Sequence, residues 1–125
     1  MESFDLKCDE RKIRKIFDEG VLSLKNGEVD RALSSFIKVL SYWPECAEAY
    51  NNIGSVYFNT LNYEQALLCF LKSLEIYPDN SRFMHNVGMC YGKLNNLEKA
   101  AEYYRKAISH DSKYVHSYYN LAGIY

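Results

Sequence analysis

The chain repeats itself every 34 residues, and this period constrains its fold more than any other feature. An offset of 34 aligns a column of small residues, Gly20, Gly54, Gly88 and Ala122. The same offset aligns columns of alanine, aromatic, aliphatic and proline positions: Ala32, Ala66 and Ala100; Phe36, Phe70 and Tyr104; Leu40, Leu74 and Ile108; Pro44, Pro78 and Ser112. Units of this length cannot bury an apolar face alone, so we expect them to stack on one another.

Each unit is predicted to contain two antiparallel helices. In the middle unit, apolar residues recur at helical spacing before and after a break at Leu61-Asn62: Tyr50, Ile53, Val56 and Tyr57, then Ala66, Leu67, Phe70 and Leu74. The small residues Gly54 and Ala66 predict a close approach of the two helices, with Phe70 in the adjoining groove. Pro78 is expected to end the second helix because it disfavours α geometry at Tyr77.

Composition narrows the function classes. Fifteen Lys and Arg against sixteen Asp and Glu give a net charge of −1, with 48% hydrophobic and 25% charged residues. These values favour a globular chain over a disordered one or a basic nucleic-acid binder. No apolar run approaches the roughly 18 residues of a membrane span, and the N-terminus does not resemble a secretory signal. We therefore expect a cytoplasmic protein that neither inserts into membranes nor binds nucleic acid.

The cysteines and histidines indicate no metal site. Cys8, Cys46, Cys69 and Cys90 lie 38, 23 and 21 residues apart, which matches no close-paired metal or redox motif. His85, His110 and His116 lack the spacing that places two ligands on one helix face. The sequence predicts reduced thiols and no cofactor.

The repeat columns resemble the tetratricopeptide-repeat family. The middle unit contributes Tyr50, Ile53-Gly54, Tyr57, Ala66, Phe70, Ser73 and Pro78, and the next contributes Met84, Val87-Gly88, Tyr91, Ala100, Tyr104, Ala107 and Ser112. The resemblance implies an all-α fold, a right-handed α-solenoid of helix-turn-helix units. Its expected boundaries are a leader at 1–12 that continues into the first helix, full units at 13–46, 47–80 and 81–114, and a first helix of a fourth unit or a cap at 115–125.

The resemblance also implies a binding function. The sequence contains no nucleophile elbow, phosphate-binding loop or metalloprotease motif, so an enzyme is not expected. Repeat solenoids present an extended concave surface, and similar proteins hold peptide segments or partner helices there. The expected partner is therefore a protein or peptide.

Helical phase predicts which side chains line that concave surface. Asn52, Asn86 and Asn120 recur at 34-residue spacing, and three carboxamides in register can bind an extended backbone. The alternative is that these asparagines only solvate an exposed helix face. The other predicted lining residues are Phe17, Val21, Asn51, Phe58, Arg82, His85, Met89, Lys93 and Tyr119.

A chaperone-tail clamp is mostly absent from this surface. Co-chaperones of the family grip terminal carboxylates with Lys and Asn on the first unit, Asn on the second, and Lys and Arg on the third. Asn52 matches, and Arg82 can replace the Lys, but Phe17 and Val21 stand at the first-unit places and Asn86 at that of the Arg. The predicted lining carries a net charge of +2, which favours neutral or mildly acidic segments.

Two other roles remain open from the sequence. The chain ends where a second helix of the fourth unit is expected, so Tyr118, Leu121 and Tyr125 are predicted to form a self-association surface if the chain is not a fragment. A solenoid of this kind also fits a substrate-recruiting segment of a larger enzyme. Trp43, which precedes Pro44, is expected to pack between repeats.

Overall fold

The computed structural model describes the backbone of residues 2–111 and the side chains of residues 10–111. Six helices follow one another in this range: α1 (Glu2–Lys25), α2 (Val29–Tyr42), α3 (Ala47–Asn59), α4 (Tyr63–Ile76), α5 (Ser81–Lys93) and α6 (Leu97–His110). Each helix packs against the next along the chain, and no strand occurs in this range. The fold is an all-α helical repeat solenoid, as predicted. The expected helix at 115–125 lies outside the described residues.

In each helical pair, a glycine of the first helix packs against an aromatic ring of the second helix. A Cβ atom built on Gly20, Gly54 or Gly88 would lie 2.8, 2.7 or 2.7 Å from the nearest ring carbon. The rings belong to Phe36, Phe70 and Tyr104, which are 0%, 1% and 4% exposed. The predicted close approach is therefore confirmed, and it is repeated in all three pairs. These contacts set the separation of the two helices within a unit.

The turn inside each pair uses one left-handed residue. Gly27, Leu61 and Asn95, which are 34 residues apart, have φ angles of 77°, 68° and 66°. Glycine and asparagine tolerate this conformation, whereas a leucine is strained in it. Leu61 is also 71% exposed, so no packing compensates for its strain.

The helix ends between units follow the predicted chemistry. α4 ends at Ile76, and Tyr77 leaves helical geometry at φ −124° and ψ 86° just before Pro78. Trp43 does the same before Pro44, at φ −137° and ψ 86°. The Asn80 side chain then accepts a hydrogen bond of 3.0 Å from the Phe83 backbone N–H and caps α5. Each proline thus ends one pair and lets the next begin.

Buried apolar side chains form the core along the whole stack. The largest completely enclosed ones are Phe36, Val39, Phe70, Phe83 and Val87. Ser73 is one of the polar residues buried with them, and its hydroxyl donates to the Ala47 carbonyl oxygen at 3.0 Å and ties α4 to the start of α3. Among the described helices, none is long and apolar enough to cross a membrane.

Candidate functional site

The first helix of each pair carries most of the predicted binding residues. α1, α3 and α5 place nine of them at positions that are at least partly exposed, and we call this set the first-helix face: Phe17, Val21, Asn52, Phe58, Arg82, His85, Asn86, Met89 and Lys93. Asn120 and Tyr119, as well as the predicted self-association residues Tyr118, Leu121 and Tyr125, lie outside the described residues.

Two asparagines on adjacent first helices are bonded to each other. The Asn86 side-chain amide donates to the Asn51 side-chain oxygen at 2.7 Å, which joins α5 to α3. Asn51 is only 4% exposed, so it departs from the prediction that it lines the surface. Its helical phase is one position away from Asn52, and the packing of α5 on α3 covers it. Asn51 acts as a positioning residue that orients the Asn86 carboxamide.

Asn52 presents a different environment. Its side chain is half-buried and makes no hydrogen bond within residues 10–111, so both its donor and its acceptor are available. Asn86 keeps its oxygen and its second N–H for other partners after bonding Asn51. The two carboxamides together offer what an extended backbone requires, a donor and an acceptor on successive units.

The Arg82 guanidinium is neutralised within the protein. It forms an ion pair with the Glu48 carboxylate across α5 and α3. Its guanidinium carbon also lies 5.3 Å from the centre of the Phe83 ring. An incoming carboxylate would have to displace Glu48 to reach this charge. The predicted net charge of +2 already counted Glu48 against Arg82, so the ion pair leaves that sum unchanged but makes the Arg82 charge less accessible.

Ring contacts hold three members of the first-helix face in place. The Phe17 and Phe36 ring centres are 5.5 Å apart in an edge-to-face arrangement, and those of Phe58 and Tyr63 are 5.2 Å apart. The His85 ring lies 5.5 Å from that of Tyr104. In each case a ring of the following helix supports a ring of the first helix. The supported rings are rigid contacts that lose little entropy when a ligand binds.

The middle of α1 and the start of α3 border a groove that the sequence analysis did not identify. Its volume is about 700 Å³. Its wall combines apolar and charged side chains: Glu10, Ile13, Arg14, Phe17, Asp18, Tyr42, Trp43, Cys46, Ala47, Glu48 and Tyr77. We call it the Trp43 groove. It adjoins the first-helix face through Phe17.

Trp43 was expected to pack between repeats, and it lies in a groove between the first two helical pairs, but about half of the residue stays exposed. Its side chain is 47% exposed, and those of Tyr42 and Tyr77 are 42% and 55% exposed. The helix stops just before or at these residues because a proline follows, so no further turn covers their rings. The 34-residue spacing of Trp43 and Tyr77 was a signal of this shared position in the sequence.

The thiols in the described range are structural rather than reactive. Burial raises the pKa of Cys46 and Cys69 above the ordinary thiol value. Burial, with the nearby Cys69, raises the pKa of Cys90 to about 12. Few thiolates therefore exist near neutral pH. Residues 10–111 contain no cluster of three ligands for a metal ion.

Helical pairs that stack one on the next along the chain define the class of helical-repeat proteins. Within that class, a family profile described as tetratricopeptide repeat matches residues 45–113, more than half of the chain. The chain belongs to the tetratricopeptide-repeat family. Repeats of this family are generally interaction modules without catalytic activity, and this chain is a protein-interaction scaffold in that general sense.

Solved structures of other repeat proteins have the same fold. The first repeat domain of Spaghetti (RPAP3), bound to the HSP90 peptide SRMEEVD, superposes with a TM-score of 0.86 at 18% identity, covering 91% of this chain and 90% of that one. MamA residues 41 to the end from Desulfovibrio magneticus RS-1 gives 0.81 at 24% identity, covering 90% and 63%.

A third structure, the N-terminal domain of the stress-induced protein STI-1 from C. elegans, gives a TM-score of 0.80 at 17% identity, covering 93% of this chain and 96% of that one. The present chain spans less than two thirds of the MamA chain. No curated protein sequence matches it.

Proposed function

We propose that this protein binds an extended segment of a partner polypeptide across α3 and α5, with Asn52 and Asn86 contacting the ligand backbone. Asn120, one period further along the sequence, would continue the contact on the fourth unit. The expected location is the cytoplasm, and the expected ligand is a protein or peptide rather than nucleic acid. These finer assignments are predictions from the sequence.

The proposal is supported by the burial and hydrogen bonding of the Asn52 and Asn86 carboxamides. Asn52 is half-buried without an internal hydrogen bond in the described range, while Asn86 is held in orientation by a 2.7 Å bond to the buried Asn51. Asparagine has a low helix propensity, so each one in a helix interior costs stability. A role in ligand binding would explain why asparagine stands at these positions. Preorganised side chains bind with a smaller loss of conformational entropy. The RPAP3 domain with its bound peptide offers a precedent for peptide binding on this fold.

The test is a quantitative pull-down with wild type and Asn52→Ala from a lysate of the source cell. We expect at least one partner to be recovered by wild type and lost by the variant. Gln65→Ala removes the same kind of side chain from an exposed position on α4 and serves as the matched control. Equal recovery of all partners by the three proteins would contradict a role of Asn52 in binding.

A second variant separates the role of Asn86 from folding. Asn86→Ala leaves the buried Asn51 oxygen without its partner, which costs about 1–3 kcal/mol of stability. Asn51→Ala combined with Asn86→Ala removes both groups, and the double variant is expected to fold and to lose the same partner as Asn52→Ala.

A further inference from the structure

We propose that the Trp43 groove is the specificity site of the scaffold, which accepts one bulky apolar side chain of the partner together with an adjacent Lys or Arg. This inference rests on the proposed function, because it assigns a chemistry to the segment that the scaffold binds. It differs from the carboxamide contacts, which bind backbone and do not select a sequence.

The size and lining of the groove fit a side-chain anchor. A volume of about 700 Å³ lies within the range of pockets that enclose a drug-sized ligand, which is enough for a bulky side chain. Ile13 and Phe17 form one wall, and Trp43 and Tyr77 contribute rings that stay about half exposed. Exposed aromatic rings gathered around a concavity are unusual on a solvated surface and mark interaction sites. An apolar anchor would cover these rings.

The charges in the wall favour a cationic neighbour of that anchor. Three carboxylates line the groove, from Glu10, Asp18 and Glu48, against a single guanidinium from Arg14. Glu48 is already paired with Arg82, and Lys12 lies over the Tyr42 ring without lining the groove, so Glu10 and Asp18 are the lining carboxylates that outnumber Arg14. An acidic segment would meet these carboxylates and be repelled.

The rings themselves add to the attraction of a cation. A Lys or Arg over the face of an aromatic ring is stabilised by the ring quadrupole, and tryptophan is the best partner. This arrangement already occurs once in the cluster, where the Lys12 ammonium lies 5.0 Å from the centre of the Tyr42 ring. Phe17, Trp43 and Tyr77 have no such contact in the described range, and Trp43 and Tyr77 are the exposed rings among them. The stem of an arginine would lie on them while its charge faces Asp18.

The first experiment is a selection from a random dodecapeptide phage library, made in parallel on the wild-type chain and Trp43→Ala. Wild type is expected to enrich peptides with Leu, Ile, Phe, Met or Trp next to Arg or Lys, and the variant is not. Enrichment of acidic peptides, the same enrichment on both proteins, or no enrichment on wild type would overturn the proposal.

The second experiment measures affinity with the most enriched peptide, synthesised with a fluorescein label and followed by anisotropy. Trp43→Ala is expected to weaken binding about 30-fold, the effect of truncating an interface anchor. Glu10→Gln combined with Asp18→Asn is expected to weaken it about fivefold, and added salt should reduce that difference. An unchanged affinity in either variant would refute its assigned role.

Matched controls separate the groove from general effects. Leu68→Ala removes an exposed apolar side chain from α4, where 69% of the residue faces solvent. Glu75→Gln with Glu102→Gln removes two charges that lie outside the groove lining. Both controls are expected to bind like wild type. Tyr77→Ala repeats the anchor test if Trp43→Ala loses helicity. This variant keeps Trp43, the only tryptophan of the chain, and a shift in its fluorescence emission reports the binding of an unlabelled peptide.

Asn52→Ala distinguishes this inference from the proposed function. If enriched peptides are acidic and depend on Asn52 but not on Trp43, the groove assignment is wrong and the scaffold function stands. If a cationic, apolar peptide depends on Trp43 and the partner in lysate does not depend on Asn52, the groove assignment stands and the carboxamide contact is wrong.

Discussion

Gly54→Ala tests the contact that sets the spacing of the helical pair α3–α4. The new Cβ would lie 2.7 Å from the Phe70 Cε1 atom, 2.8 Å from its Cδ1 atom and 3.1 Å from the Cys69 Cβ atom. Unstrained carbon atoms pack about 3.5–4.0 Å apart, so the overlap with the ring is about 0.8 Å or more. Phe70 is only 1% exposed, and its ring has no free space into which to move.

The expected change in the free energy of unfolding is the difference between two opposing effects. Overpacking of this kind costs about 1–3 kcal/mol, because the helices must separate or the ring must leave its rotamer. Replacing glycine by alanine inside a helix contributes about 1 kcal/mol in the opposite direction. The net loss is therefore expected to be about 0–2 kcal/mol, and the same change at a site without the contact should be stabilising.

Gly92→Ala supplies that comparison within the same fold. Gly92 also lies in a first helix, but its built Cβ meets nothing closer than 4.0 Å. Its substitution is expected to leave stability unchanged or raise it by up to about 1 kcal/mol. The free energies of unfolding of the two variants, from urea denaturation followed by circular dichroism, should differ by about 1–3 kcal/mol.

The double variant identifies the ring as the cause. Phe70→Leu removes the ring carbons that the new methyl group would meet. It is therefore expected to cost less in the Gly54→Ala background than in wild type, with a coupling of about 1 kcal/mol. If Gly54→Ala is as stable as Gly92→Ala, or if the two substitutions are additive, the close approach does not set the spacing of the pair.

Three further predictions concern the turns, the core and the polar contact. Leu61→Gly should raise the free energy of unfolding by about 1 kcal/mol, because glycine relieves the strain at φ 68°; a loss of stability would contradict this. The pKa of Cys90 rises from 9.0 to about 12 on folding, so the unfolded chain releases this proton first, and stability should fall between pH 9.0 and about 12 more steeply in wild type than in Cys90→Ala. Parallel pH profiles would refute this. Asn51→Ala should destabilise by about 1 kcal/mol, and little further with Asn86→Ala added, whereas additive losses would argue against the hydrogen bond.

Much of the fold was predictable because it depends on short-range spacing. The 34-residue period placed Gly54 opposite Phe70 and put the breaks at Leu61 and Pro78, and all of these agree with the structure. Helical phase and proline stereochemistry act within one or two turns of chain, so a single sequence contains the necessary information. The repetition of the pattern then strengthened each assignment.

The candidate site was less predictable because it depends on how one unit is offset against the next. A helical wheel places Asn51 and Asn52 on neighbouring phases, and only the packing of α5 decides that Asn51 is covered and bonds Asn86. The same offset brings Arg82 to Glu48, and this ion pair between units could not be read from the charge count alone.

The sequence by itself determined the repeat, the helical pairs, their turns and the family, since each follows from the order of small, apolar and helix-breaking residues along the chain. Only the tertiary structure decided which polar groups are already occupied and where the surface is concave. Trp43 illustrates the reason: its neighbours in the groove come from α1, α3 and the end of α4, and their meeting depends on the rotation between units rather than on any local pattern.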